Sequence, residues 1–210
     1  MKKENFVKIS AFSLIELSIV LIIIGFLMAS VTGGQSLIAS AKLKAFINEV
    51  NEYKKAATIF YSTKQRLPDD KENRGKFLIN GDNTMFHEPF QEFYKTGILD
   101  FDAKECDGEY ECNGVNIPKS KVFKRGAFMF VTEYFDEDSN YLAFKFYYSE
   151  TPEADQVSPK IAERIDQMLD DGIPNDGDVR AYLSDCWDFE CDSYNGDVGG
   201  VSNIYFKLNI

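Results

Sequence analysis

The 210-residue sequence predicts an α+β protein: a long N-terminal α-helix packed on an antiparallel β-sheet. Three observations carry this expectation. Residues 12–31 form an apolar run of membrane length. An amphipathic run at 35–63 continues from it. Aromatic and β-branched runs of strand length follow, but only after residue 125. Helix first and strands afterwards is an α+β order.

The apolar segment comes first. Between Phe12 and Val31 only Ser13, Glu16, Ser18, Gly25 and Ser30 interrupt large or apolar side chains. Twenty residues at 1.5 Å each give about 30 Å of helix, enough to cross a bilayer. Lys2, Lys3 and Lys8 precede it, with Glu4 the one acid among them. The positive-inside rule then keeps the N-terminus cytoplasmic and exports everything after residue 31. Glu16 stands out, because an acid at the centre of a membrane helix costs roughly 3 kcal/mol, less near the interface. A simple signal anchor, or a secretory signal peptide cleaved near Ala29, accounts for the run. Neither gives Glu16 a purpose.

The helical pattern does not stop there. Ile38, Ala41, Ala45 or Phe46, Val50, Tyr53, Ala57 and Phe60 recur at steps of three and four. That is the apolar stripe of an amphipathic helix. Lys42, Lys44, Asn48, Glu49, Asn51, Glu52, Lys54 and Lys55 are expected on the other faces. The spacing predicts one helix over 12–63, with a joint at Gly33 and Gly34, where a Gly pair weakens a helix by about 1 kcal/mol per residue. Leu67-Pro68-Asp69-Asp70 is expected to end it and open a charged loop.

The stretch Ala11-Phe12-Ser13-Leu14-Ile15-Glu16 resembles the processing site of type IV pilins and type II secretion pseudopilins. In that family a prepilin peptidase cuts before a phenylalanine and N-methylates the new terminus. The resemblance implies a leader at 1–11, cleavage between Ala11 and Phe12, and an assembly role for Glu16. It further implies that Glu16 pairs with the Phe12 amine of a neighbouring pilin or pseudopilin subunit, which removes the cost of two isolated charges in low dielectric. Gly25 falls where the family often has a helix-loosening glycine. The sequence departs from the pattern at Ala11, where glycine is usual, and at Gly33, where many members have proline.

A second resemblance concerns fold. Pilin-like proteins often follow the helix with a leucine-proline-glycine-aspartate turn and a second short helix. Here Phe60-Tyr61 precedes Leu67-Pro68-Asp69-Asp70, and Asp69 stands where that pattern has glycine. Residues 84–96 resemble the second helix, with Pro89 in its first turn and Gly97-Ile98-Leu99 closing it. The passage from Ile165 to Arg180 also resembles a helix-turn-strand segment of some pilin-like proteins.

The exported part, 65–210, has a length that fits one domain. Residues 126–135 and 141–148 read as strands of an antiparallel hairpin around the polar turn 136–140. Residues 158–170 read as a helix, with Ser158 as cap, Pro159 in the first position, and Gly172 and Pro174 as the stop. Residues 179–183 and 202–208 are further strands.

Four cysteines fall into two local pairs, Cys106 with Cys112 and Cys186 with Cys191. In an exported domain they are expected to form disulfides. Three connectivities exist, and local pairing is favoured because each pair flanks a short turn-like loop. Zinc is the rival, but neither pair has CxxC spacing.

Net charge is −11, and loss of the leader's three lysines and one glutamate moves it to −13. Between Asp166 and Asp197 ten acids face only Arg180. Such a domain does not hold nucleic acid by counterion release, and none is expected as partner. The basic cluster Lys119, Lys121, Lys124 and Arg125 reads as a solvated loop. No cofactor is expected. Asp170, Asp171, Asp176 and Asp178 form a weak calcium candidate, as does the 185–192 loop. Asp136, Asp138 and Asn140 lack the glycine and twelfth-position acid of a calcium loop. There is no GxSxG, Walker loop, HExxH or dinucleotide-binding turn, and the single His87 has no evident nucleophile partner, so no enzyme is expected.

Taken together, the residues and the resemblance imply a structural subunit, of the minor kind, in a type IV pilus or secretion pseudopilus. It would be anchored in the inner membrane with its domain in the periplasm, and would become filamentous after assembly. The alternative is a monomeric, membrane-anchored extracytoplasmic binding protein.

Overall fold

The computed structural model describes residues 13–70, 74–77, 88–104, 117–123, 126–132, 139–146, 157–183, 193–194 and 200–210. Its elements are α1 (Leu14–Lys64), α2 (Glu88–Lys95), β1 (Gly126–Thr132), β2 (Asn140–Phe146), α3 (Pro159–Leu169), β3 (Val179–Leu183) and β4 (Val201–Leu208). The chain divides into two compact units, residues 1–42 and residues 43–210, so α1 contributes to both.

In the first unit α1 is solvent-facing. Leu14, Ile22, Phe26 and Leu37 are among its exposed large apolar residues. Helical hydrogen bonding runs unbroken through Gly33 and Gly34.

The second unit holds the core. Among the described residues its four strands pair antiparallel throughout, in the order β1-β2-β4-β3. Leu43, Phe46, Val50, Ala57 and Phe60 of α1 are buried at steps of three and four. The stripe therefore begins at Leu43, and Ile38 and Ala41, expected to belong to it, are exposed. Phe46 lies at its centre, with ring centroids 4.8 Å from Phe144, 5.0 Å from Phe123 and 5.9 Å from Phe128. Farther along, Phe60 meets Phe93 of α2 at 5.6 Å, and both Phe90 and Phe93 reach Phe130 at 5.3 Å. Stacked, edge-to-face and tilted aromatic pairs of this kind add about 1 kcal/mol each beyond the area they bury.

Both faces of the sheet are buried. Phe128, Phe130, Leu142, Phe144, Ile204 and Phe206 line one face, and Met129, Val131, Tyr141, Ala143 and Tyr205 the other. This explains why the strands read as continuous apolar runs. A side chain at Gly126 would collide with the Phe144 ring, so β1 must begin on glycine.

The helix ends follow local rules. Gln65 (φ 56°) takes the left-handed position after α1, and its N–H donates to the Tyr61 carbonyl at 2.8 Å, an αL stop. Gly97 (φ 70°) closes α2, with Gly97 N–H donating to Tyr94 and Ile98 N–H to Phe93, both at 2.9 Å. That is a Schellman motif. Ser158 occupies the N-cap of α3, but its side chain makes no capping hydrogen bond. Pro159, which needs no N–H partner, starts the helix instead.

Leu67-Pro68-Asp69-Asp70 is buried rather than a solvated charged loop. Asp69 sits at φ 61°, the conformation glycine would favour, and Asp tolerates it better than most residues. Its N–H donates to Glu92 Oε2 at 3.1 Å. The same carboxylate takes a bidentate pair from Arg66 at 2.9 and 3.0 Å. Asp70 accepts from the N–H groups of Arg74 and Gly75, at 2.8 and 2.6 Å. These acids hold a turn together.

Glu49, expected on the polar side of α1, is buried. It accepts from the Ser120 hydroxyl and the Lys121 N–H, both at 2.6 Å. Ser120 N–H in turn donates to the Gly126 carbonyl, and Phe128 N–H to that of Pro118. Lys119 bridges Ala127 antiparallel, so the 117–120 strip lies along β1.

Candidate functional site

Two places hold the residues singled out from the sequence. The first is the start of α1. Ser13 N–H donates to Glu16 Oε2 at 2.8 Å, and Glu16 N–H donates to Ser13 Oγ at 3.3 Å. Serine and glutamate three residues apart, bonded reciprocally, form a capping box. Glu16 thus has a partner within its own chain. The spacing Ser13-x-x-Glu16 carries that signal in the sequence, but an acid in an apolar run draws attention to its charge instead.

The rest of the segment suits an apolar surrounding. The Ser18 hydroxyl donates to the Leu14 carbonyl at 2.8 Å, and Ser30 to that of Phe26 at 2.9 Å. Both hydroxyls are satisfied inside the helix, as hydrocarbon requires. By length and composition α1 is able to cross a membrane. A side chain added at Gly25 or Gly34 would meet nothing within 4 Å. Packing within this chain therefore does not demand either glycine. Ala11 and Phe12 lie outside the described residues, as do His87, all four cysteines (Cys106, Cys112, Cys186, Cys191) and the 185–192 loop.

The second place is the acidic turn between α3 and β3. Carboxylate oxygens of Asp166, Asp170 and Asp171 lie within 4.8 Å of one another. Asp176 and Asp178, grouped with Asp170 and Asp171 from the sequence, are outside that trio. The acids serve backbone donors. Asp170 accepts from Asp178 N–H and, at 3.1 Å, from Val179 N–H. Asp171 accepts from Ile173 N–H and Asp176 from Gly177 N–H, each at 2.8 Å.

Asp166 was not anticipated. It is fully buried, accepts from the Tyr194 hydroxyl at 3.0 Å, and accepts from Gly172 N–H at 3.2 Å. Burial pushes its carboxyl up to about 7, with Asp171 and Asp170 adding to the rise and the two hydrogen bonds opposing it. Burial and the adjoining Asp166 also drive the Tyr194 phenol far up. Lys54, on α1, is lowered by burial, and the charges of Asp178 and Asp170 resist that change. Asp166 falls on the buried side of α3 with Ala162 and Ile165, a placement the i, i+3, i+4 spacing carries.

No family model matches the sequence, and no curated protein matches it. Among solved structures, the chain is similar to one titled as the major Type IV pilin PilA1 from Clostridium difficile. The two are 12% identical with a TM-score of 0.39, over 81% of this chain and 96% of that chain. A likeness at that score carries no functional argument. The α+β architecture stands on the elements described above.

Proposed function

We propose that this chain is a pilin-like structural subunit that assembles through the N-terminal half of α1. The observation that carries the reading is that half itself: from Leu14 to Met28 the large apolar side chains are exposed, while the other end of the same helix is built into a core. Such a surface needs a lipid or protein surrounding. The prepilin-like motif at Ala11-Phe12 and Glu16 supports the view that it passes from one to the other. On this reading prepilin peptidase cuts before Phe12 and methylates its amine. Glu16 then exchanges its capping bond, or shares it, with the amine of a neighbouring subunit. The domain is exported while α1 stays in the inner membrane, and Cys106–Cys112 and Cys186–Cys191 close as disulfides. The size of the exported domain favours a minor subunit.

N-terminal mass spectrometry of the protein from membranes tests this directly. N-methylated Phe12 is the expected result. A retained Met1, or a start near Ser30, rules the reading out in favour of an anchored or secreted monomer. Glu16→Ala is expected to leave membrane insertion intact and to reduce recovery in sheared filaments at least tenfold. Scoring surface filaments and secreted proteins together in a deletion strain separates pilus from pseudopilus.

A further inference from the structure

The exposed apolar surface of α1 runs past the span read from the sequence. Leu37 and Ile38 are 74% and 60% exposed, and Ala41 is exposed as well. The buried stripe begins only at Leu43. Residues 17–41 carry no charge. At 1.5 Å per residue they make about 38 Å of helix. A tilt of about 20°, the average for membrane helices, shortens that to about 36 Å. The hydrocarbon core is about 30 Å thick, and the bilayer with its headgroups about 40–45 Å. With Glu16 at one hydrocarbon boundary, the far end of the uncharged stretch comes out in the opposite headgroup layer. Two cations stand there. Lys42 and Lys44 are exposed on either side of buried Leu43. Neither has an acid three or four residues away along the helix. Lysine stems lie along apolar surface while their ammonium groups seek the headgroups.

We propose that Lys42 and Lys44 bind lipid phosphates of the exported-side leaflet and fix the depth at which α1 sits before assembly. The proposal rests on the reading of α1 as a membrane anchor. Held this way, Leu37 and Ile38 lie at the acyl boundary, out of water. Charge favours lipid over a second copy as the occupant. Parallel copies of the same helix in register would set lysine against lysine, whereas phosphates meet both ammonium groups with the opposite charge.

The test uses the full chain, reconstituted at low protein-to-lipid ratio in vesicles of phosphatidylcholine with or without an equal part of phosphatidylglycerol. Acylation by a neutral succinimidyl ester is read residue by residue by mass spectrometry. Lys55 and Lys160, both exposed, serve as references. Relative to them, Lys42 and Lys44 are expected to react about fivefold more slowly when phosphatidylglycerol is present. Equal relative rates in the two lipids overturn the proposal. Protection that follows the protein-to-lipid ratio instead assigns the surface to a second copy, and overturns it too. Lys42→Glu combined with Lys44→Glu supplies a second readout. Hydroxyl-radical oxidation of Leu37 and Ile38 is expected to rise about fivefold in that variant in phosphatidylglycerol vesicles. An unchanged level means that the lysines do not set the depth, and the proposal fails. Flotation after carbonate washing separates this proposal from the anchor reading. A chain that floats without lipid-dependent protection loses the lysine contact alone. One that stays in the soluble fraction loses the anchor as well.

Discussion

The two ends of α1 are built from one helix under opposite rules. Residues 14–30 are the more apolar, and they are exposed. Residues 43–60 are less apolar, and they are anchored in a core. Apolar content reports which solvent a segment needs, whereas periodicity reports what the chain itself will cover. At the first end the large apolar side chains from Leu14 to Met28 are exposed on every side of the helix. The second has a stripe one side wide, and the sheet and α2 fit it.

The strongest way to break this contrast is truncation at matched positions. Phe46→Ala removes the ring at the centre of the aromatic cluster, and a buried Phe→Ala change costs about 3–5 kcal/mol. Leu21→Ala should leave unfolding of the domain unchanged. Denaturant titration of both variants in micelles, followed by near-UV circular dichroism, compares them. Equal losses would mean that the first end also stabilises the domain.

Glu16 and Glu49, at opposite ends of α1, sharpen the same contrast. Glu49→Ala leaves the Ser120 hydroxyl and the Lys121 N–H without their acceptor, a loss of about 1–3 kcal/mol. Ser13→Ala, which removes half of the Glu16 capping box, should cost about 1 kcal/mol. That cost should appear only as faster amide exchange at the first turn of α1, without moving the domain's unfolding midpoint.

The smallest effect belongs to the Arg66–Glu92 pair, whose side chains are 33% and 26% exposed. Arg66→Ala should cost about 1 kcal/mol or less. Burial raises the Glu92 carboxyl, but hydrogen bonds from Arg66 and Asp69 outweigh it and hold the group below its ordinary 4.5. A depressed carboxylate stabilises the fold above its unfolded value and loses that contribution as pH falls through the folded value. The gap between wild type and Arg66→Ala should therefore narrow as pH falls below the ordinary carboxylate range, as thermal unfolding across pH would show.

The sequence made β3 legible to its ends, because Val179–Leu183 is an apolar alternation that follows a Gly-Asp turn and precedes a polar stretch of sequence. The left-handed Asp69 was legible by position, since it stood where a related pattern has glycine. Glu49 and Asp166 were not. Each is a charged residue amid charged neighbours, and although Asp166 shares the i, i+3, i+4 spacing of Ala162 and Ile165, its charge argued for the solvent side. The stripe was placed one turn too early, because Ile38 and Ala41 continue the period and nothing local says where the core begins. Glu16 stood out in the sequence as an acid within an apolar run, and that feature hid a simpler one, its place as the fourth residue of a capping box.

Glu49 has one more consequence. Among the described residues β1 is an edge strand, and an edge with open N–H and C=O groups invites another strand to pair with it. The 117–120 strip occupies part of that edge, and the Glu49 carboxylate fastens the strip at Ser120 and Lys121. A single acid on the helix thus guards the sheet against illicit strand pairing. Its loss would be felt in solubility, and in the tendency of the domain to stick to its own kind, before it was felt in shape.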